Sequence, residues 1–453
     1  MNVAMNVAMN VAMDATVGPS LRILLATAET HPCARADVRV LFGQSLPALG
    51  VQVDLLALGE MPTDCATQPP WPGGLSFLRP ARTRLQRLLG DLLQQLSLFR
   101  RCTQGYDALV VRDKPVLGIV GFAAARLARI PFCYWMSYPL PEQYLWLASR
   151  RDGSVGVPRR AWLWLRGSVG RLCLEQLLVP HADWLFVQSD AMAAALRRGP
   201  LRHDRVSAVP MGVDAAALPP SAPALPQPLR GHPTAVYLGT LDRYRRPEVM
   251  VDAAARVGRV MPEFRLMIIG EADEPSDRGW LQRHAVETGA ARWVHFTGRL
   301  PFDEALALAQ CAQVGLSPVP CSPLTEVGSP TKAVEYLACG LPVICNDQPD
   351  QAWVIGQSGG GRVVALDAQA FADAIIATLS DPLAAQAQAE AGRLWVKAHR
   401  DYEVLARGVE ACLRALGPSP KSSPEASPEA SPEASPEASP EASRQTTAIG
   451  APT

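Results

Sequence analysis

Two series of short apolar runs, each run followed by a segment of helical period, constrain this chain more than any other feature. In the first series LRILLATA (21–28), VQVDLLALG (51–59), YDALVVR (106–112), PFCYWMS (131–137) and ADWLFVQS (182–189) read as strands. Helical stretches separate them, among them residues 37–49, LGIVGFAAARLARI and DAMAAALRRG. The second series is TAVYLGT (234–240), RLMIIGE (265–271), WVHFTGR (293–299), VGLSPV (314–319) and LPVIC (341–345). A strand that returns beside its predecessor after a helix runs parallel to it, so each series predicts one parallel sheet. AALPPSAPALPQPLRGHP (216–233) lies between the series, and its prolines mark a stiff linker. The expected fold class is α/β, with two Rossmann-like, doubly wound domains facing each other. Ligands of such sheets lie beyond the carboxyl ends of the strands.

The 453 residues suffice for two large cores. The expected layout is a low-complexity extension (1–18), a first domain (19–218), the linker (219–232), a second domain (233–395), a closing helix returning to the first domain (396–417) and a tail (418–453). MNVAMNVAMNVAMDATVG carries no positive charge and lacks the opening of a signal peptide. The tail repeats SPEA, cannot build a core and is expected to be disordered. Ten cysteines are scattered without a CxxC pair, which points to buried thiols in a reducing compartment rather than a zinc site. No apolar run is long enough to span a bilayer. With 43 basic and 43 acidic side chains and no basic tail, nucleic acid is not an expected partner.

GSPTKAVEYLACGLPVICN (328–346) carries the densest local signal. Ser329 suits an N-cap and Pro330 the first helical position. Gly340 suits the left-handed C′ position, and Pro342 blocks further helix. The spacing predicts a helix of roughly three turns feeding a buried strand. Its start would attract an anion, with Lys332 in the first turn. Glu335, about one turn deeper, makes sense beside a phosphate site if it binds neutral ribose hydroxyls. An ordinary capped core helix would carry the same residues.

Taken in order, five blocks resemble the large family of group 1 glycosyltransferases, family 4, with the GT-B fold. VSAVPMGVDAAAL (206–218) is similar to that family's Pro-Asn-Gly-Val-Asp segment, with Met211 in place of Asn. VYLGTLDRYRRPEVMVDAA is similar to its strand, basic loop and helix, and FRLMIIGEADE to its second strand. VHFTGRLPFDEALALAQCAQVGLSPV resembles its base-contacting loop, helix and strand, and SPTKAVEYLACGLPVI its most specific block. The resemblance runs from about residue 20 to about residue 415.

It implies a retaining transfer of a sugar from a nucleotide-sugar donor to an acceptor hydroxyl of a saccharide or lipid-linked precursor. It implies catalytic roles for Arg245, Lys332 and Glu335. Donor binding would fall to Gly239 and Arg243 of the basic loop, to Gly298, Arg299 and Leu300 beside the base, and to Ser329, Pro330 and Thr331 at the diphosphate. The first glutamate of the family's paired motif should stand at 327, where this chain has Val327, and Glu326 is one residue off. The first domain departs further: AETHPCARADVR has no glycine, and Ser137 stands near the place of a usual histidine. Arg112, Asp113, Ser137, Tyr138 and Glu142 are the acceptor-side candidates, and His31 is the nearest histidine.

A helix start with two cations can neutralise a departing diphosphate without a metal ion, so no metal or other cofactor is expected. NDQPD (346–350) has the wrong spacing for a metal-binding acidic pair and reads as a loop. Residues 19–215 hold eight more basic than acidic side chains. PARTRLQRLLGDLLQQLSLFRRC (80–102) and PRRAWLWLRGSVGRLCLEQLLVP (158–180) are apolar stretches punctuated by arginine. They read either as helices packed on the sheet or as contacts to an anionic membrane surface. The expected location is cytoplasmic, peripheral on the inner face of the plasma membrane. The rival readings are a non-catalytic nucleotide-binding relative and a nucleotide-sugar 2-epimerase of the same fold.

Overall fold

The computed structural model describes residues 20–30, 33, 35–58, 71–78, 96–149, 156–198, 203–218 and 223–417. Both low-complexity ends, His31, most of the 80–102 stretch and linker residues 219–222 lie outside them. The first sheet contains β1 (Leu21–Thr30), β2 (Val51–Leu58), β3 (Leu75–Leu78), β4 (Ala108–Arg112), β5 (Phe132–Met136), β6 (Trp184–Val187) and β7 (Val206–Ala208). Its order is β3-β2-β1-β4-β5-β6-β7 and every pairing is parallel. The second sheet contains β8 (Thr234–Leu238), β9 (Arg265–Ile269), β10 (Val294–Gly298), β11 (Val314–Ser317), β12 (Val343–Asn346) and β13 (Gly361–Val364). Its order is β10-β9-β8-β11-β12-β13, again parallel throughout.

Strand order reverses between β1 and β4 in one sheet and between β8 and β11 in the other, and these are the switch points where such folds bind ligands. Strands β3, β7 and β13 have no counterpart in the sequence reading. They are edge strands of three or four residues, too short to show a period. The two central strands β4 and β5 are buried at every residue, as a sheet covered by helices on both faces requires.

The chain passes between the sheets twice. The first passage is Met211–Gly212–Val213, and the second is Arg400–Asp401, where Val213 and Asp401 pair as a short parallel bridge. Helix Pro382–His399 still belongs to the second sheet, whose core takes Val396. Helix Tyr402–Arg414 then packs into the first, where Tyr402, Ala406, Val409 and Leu413 meet Val38, Leu41 and Phe42. Gly212 is required at this crossing, because a side-chain carbon there would lie 2.5 Å from the carbonyl oxygen of Arg400.

Candidate active site

The helix in the specific block runs Thr331–Ala338, about two turns rather than three, and starts beneath the switch point of the second sheet. Tyr336 fixes it there. Its buried hydroxyl accepts a hydrogen bond from the amide of Leu238 at 2.6 Å, and its ring covers Gly315. Gly340 is left-handed, with φ of 75°, and turns the chain toward β12. Pro330 caps the helix and Ser329 does not, which corrects the N-cap expectation. The Ser329 hydroxyl instead donates to Asp350 Oδ2 at 2.7 Å and accepts from the amide of Met211 at 3.0 Å. Arg400, buried to 2% exposure, donates to Asp350 Oδ1 at 2.7 Å and reaches Ser329 Oγ and the carbonyl of Met211 at 3.4 Å. Ser329 is thus a hinge residue as well as a neighbour of the helix start. NDQPD is also corrected: it holds the end of β12 and the start of helix Pro349–Ser358, and supplies Asp350 to this buried pair.

Lys332 lies across Gly239 at the end of β8. A side-chain carbon on Gly239 would sit 2.6 Å from Lys332 Cε and displace the lysine tip, and the φ of 153° at Gly239 itself favours glycine. The ammonium sits over the Tyr237 ring, 5.3 Å from its centroid. Burial, with Arg245 close by, lowers the Lys332 ammonium to about 8 against the opposing pull of Glu335. Arg245 packs on Tyr244, 5.2 Å from the ring centroid, and its Nε is buried without a hydrogen-bond partner. The Thr240 hydroxyl on the same loop is also buried and unpartnered. Burial raises the Glu335 carboxyl, while Lys332 and a hydrogen bond from Thr331 oppose the shift.

Other donor-side candidates have different surroundings. Arg243 is held at 2.9 Å by Asp277 and stacks on Trp280 at 4.5 Å, which anchors helix Pro275–Glu287. Gly298 closes β10 in a left-handed turn with φ of 80°, and its carbonyl accepts from the amide of Gly270 at 3.0 Å. Arg299 is exposed and lies 3.5 Å from Asp273, and Leu300 packs into the second core. Glu326 is exposed. Val327 packs against the core of the first sheet, and its carbonyl accepts from Ser189 Oγ at 2.6 Å. The place where the family resemblance puts a carboxylate is therefore given to contact between the sheets.

On the acceptor side the candidates separate. Arg112, 1% exposed, bonds Asp37 at 2.7 Å, Asp113 at 2.9 Å, Glu29 at 3.0 Å and Ser137 Oγ at 3.0 Å. Asp113 is left-handed, with φ of 61°, and accepts from both the amide and the hydroxyl of Ser137. Arg112 holds the Asp37 carboxyl below its usual range against burial, whereas burial raises Asp113. Arg112, Asp113 and Ser137 thus close on one another rather than presenting free groups. Glu142 is 3.4 Å from Arg171 and ties two helices together. Tyr138 alone among the acceptor-side candidates is coupled to the donor side: burial, with Tyr244 alongside, raises its phenol against the pull of Arg245. The structure therefore brings Gly239, Arg245, Lys332, Glu335 and Tyr138 toward one junction. Sequence reading missed Thr240, which lies within the basic-loop block, Asp350, whose segment read as a loop, and Arg400, which belongs to no quoted motif.

Two family descriptions match: "Glycosyl transferase 4-like domain" over residues 41–212 and "Glycosyl transferases group 1" over residues 232–381. The chain belongs to the group 1, family 4 glycosyltransferases. Among the relatives of this chain is a phosphatidyl-myo-inositol mannosyltransferase of Mycobacterium tuberculosis, 28% identical over 205 residues, covering 44% of this chain and 51% of the relative. A GDP-mannose-dependent alpha-(1-6)-phosphatidylinositol monomannoside mannosyltransferase of Mycolicibacterium smegmatis is 28% identical over 172 residues, 37% of this chain and 44% of the relative. The chain spans about half the length of the curated relatives it matches. Sucrose-phosphate synthase from Thermosynechococcus elongatus shares the fold, with a TM-score of 0.65, 22% identity and coverage of 87% of this chain and 99% of that one.

Proposed function

We propose that this glycosyltransferase moves a hexosyl unit from a nucleoside-diphosphate sugar to a hydroxyl of a saccharide or lipid-linked acceptor, with retention at the anomeric carbon. One observation carries the reading: Lys332 and Arg245 are held close together in a desolvated spot at the switch point of the second sheet. Like charges in such a place repel, and an arriving diphosphate relieves the cost. As the glycosidic bond breaks, charge grows on the leaving phosphate, where Lys332, Arg245 and the helix start stabilise it. Glu335 accepts hydrogen bonds from ribose hydroxyls, and the leaving phosphate takes the acceptor proton. Tyr138 approaches from the other sheet and orients the reacting groups. Fixed cations meet the charge, so no divalent ion is required. Nucleotide-sugar supply places the work in the cytoplasm, and the nine cysteines of the described residues, all unpaired, fit a reducing compartment.

Transfer and donor-hydrolysis assays across UDP- and GDP-sugars test this reading. GDP-mannose with a phosphoinositide acceptor is the first pair, because mannosyltransferases are among the relatives. A second reading, nucleotide binding without transfer, draws on Val327, which occupies the motif's first acidic position and faces the first core. Tight nucleoside-diphosphate binding with no turnover of any donor would select it.

A further inference from the structure

Seven of the nineteen large apolar side chains exposed among the described residues fall within Val157–Leu177. They lie on helix Val157–Cys173 and its helical continuation over 174–181. At about 100° per residue the positions sort onto faces. Leu163, Gly167, Leu174 and Leu178 form the narrow buried stripe. Leu165, Val169 and Leu172 lie on the opposite side, with Trp162 and Trp164 at its two edges, each 46–60% exposed. Arg159 and Arg166 flank this apolar face on one side, and Arg160 and Arg171 on the other.

We propose that this helix lies flat on an anionic lipid bilayer, its tryptophan- and leucine-bearing face at the acyl boundary and its arginines at the headgroups. A soluble helix faces its apolar side inward, whereas this one turns its wider apolar face outward. Arginines on both borders fit a surface bearing negative charge on either side of the inserted face, and their stems can lie along apolar surface. Among the described residues no helix is long and apolar enough to cross a membrane, so the contact is one of lying on, not spanning.

The helix is also joined to the reacting centre. Helix Leu140–Ser149 begins two residues after Tyr138, and the two helices pack without slack. A side-chain carbon on Gly167 would meet Leu145 Cγ at 2.7 Å and the carbonyl of Pro141 at 2.9 Å. Arg166 covers the Tyr144 ring at 4.5 Å, and Arg171 meets Glu142. Docking the helix therefore sets where the wall carrying Tyr138 stands relative to the bilayer. The inference is independent of turnover, since vesicle binding is read without a donor.

The full chain is sedimented with vesicles of phosphatidylcholine, with and without phosphatidylglycerol, and nucleoside-diphosphate binding is measured on the same samples. Binding to the anionic vesicles at low salt is expected, falling as salt rises. Tryptophan fluorescence should be quenched by brominated acyl chains. The W162E/W164E pair should cut vesicle affinity about tenfold or more, with melting temperature and nucleoside-diphosphate affinity unchanged. Arg159→Gln should give a smaller loss and a flatter salt dependence. No sedimentation of the wild-type chain at low salt overturns the proposal, as does binding that the tryptophan pair leaves intact. A dimer that W162E/W164E makes monomeric, with vesicles ignored throughout, overturns it in favour of a second copy on this face.

Discussion

The carboxyl ends of the two sheets are built on opposite electrostatic plans. At the end of β4, Arg112 is enclosed by Asp37, Asp113, Glu29 and Ser137, so its donors are met by oxygen atoms of the protein itself. At the end of β8, Arg245 leaves Nε unpartnered, and burial, with Arg245 close by, lowers the proton affinity of Lys332. Both places are poor in water and rich in charge. One is complete as folded, and the other, on the proposed function, awaits an anion. Buried charge alone therefore does not mark a binding site, but an excess of buried charge of one sign, here Lys332 and Arg245 against Glu335 alone, does.

Removing one charge from each end tests the contrast most strongly. Arg112→Ala leaves buried carboxylates facing one another and should cost about 3–5 kcal/mol of folding stability. Chemical denaturation measures it, and a loss near zero would mean the cluster is not structural. Lys332→Ala should leave stability intact or slightly raised, since a desolvated cation disappears, while transfer falls by about 10²–10³-fold.

The Lys332 ammonium is charged below about pH 8 and neutral above it. An anionic donor favours the charged form, so affinity should hold below that pH and fall by about tenfold per unit above it. Lys332→Arg should abolish this limb, because a guanidinium stays charged. An unchanged pH profile in that variant would remove Lys332 from the donor site.

Within the basic loop the same contrast recurs at smaller scale. Arg245→Ala should weaken nucleoside-diphosphate binding by about 1–3 kcal/mol in calorimetry. Arg243→Ala, whose partner Asp277 is on the surface of the same domain, should change it by about twofold or less. Equal effects would show that both arginines reach the phosphates. The smallest expected effect is that of excess chelator, which should leave turnover within about a factor of two. Loss on chelation with recovery on magnesium would mean that fixed cations do not carry the leaving group.

The fold was legible because helix and strand periods differ and each central strand is a continuous apolar run, as in LRILLATA and RLMIIGE. The edge strands were not, since four residues such as GRVV show no period. The proposed donor side was legible because its residues fall in two short stretches: Lys332 and Glu335 share a helix face, and Gly239 stands in a conformation that favours glycine. The hinge network could not, because it joins positions 211, 329, 350 and 400, which no local pattern relates. Ser329 illustrates the cost. Serine before proline is the usual sign of a cap, yet a buried arginine and aspartate 50 positions apart draw its hydroxyl away.

That network makes the two halves poor candidates for exchange with those of relatives. The segment preceding the donor helix answers to the first domain through Val327 on Ser189 and through Ser329 on Met211. Helix Tyr402–Arg414, although last among the described elements, completes the first domain's core from the far side of Arg400. A chimera joined within the linker would separate each of these pairs at once. Its second half would fold with a mismatched hinge, and its altered sugar or base preference would be read wrongly as a property of the donor site. A clean graft has to carry Ser189, the Met211–Val213 crossing and helix Tyr402–Arg414 as one inherited unit with the helix that bears Lys332.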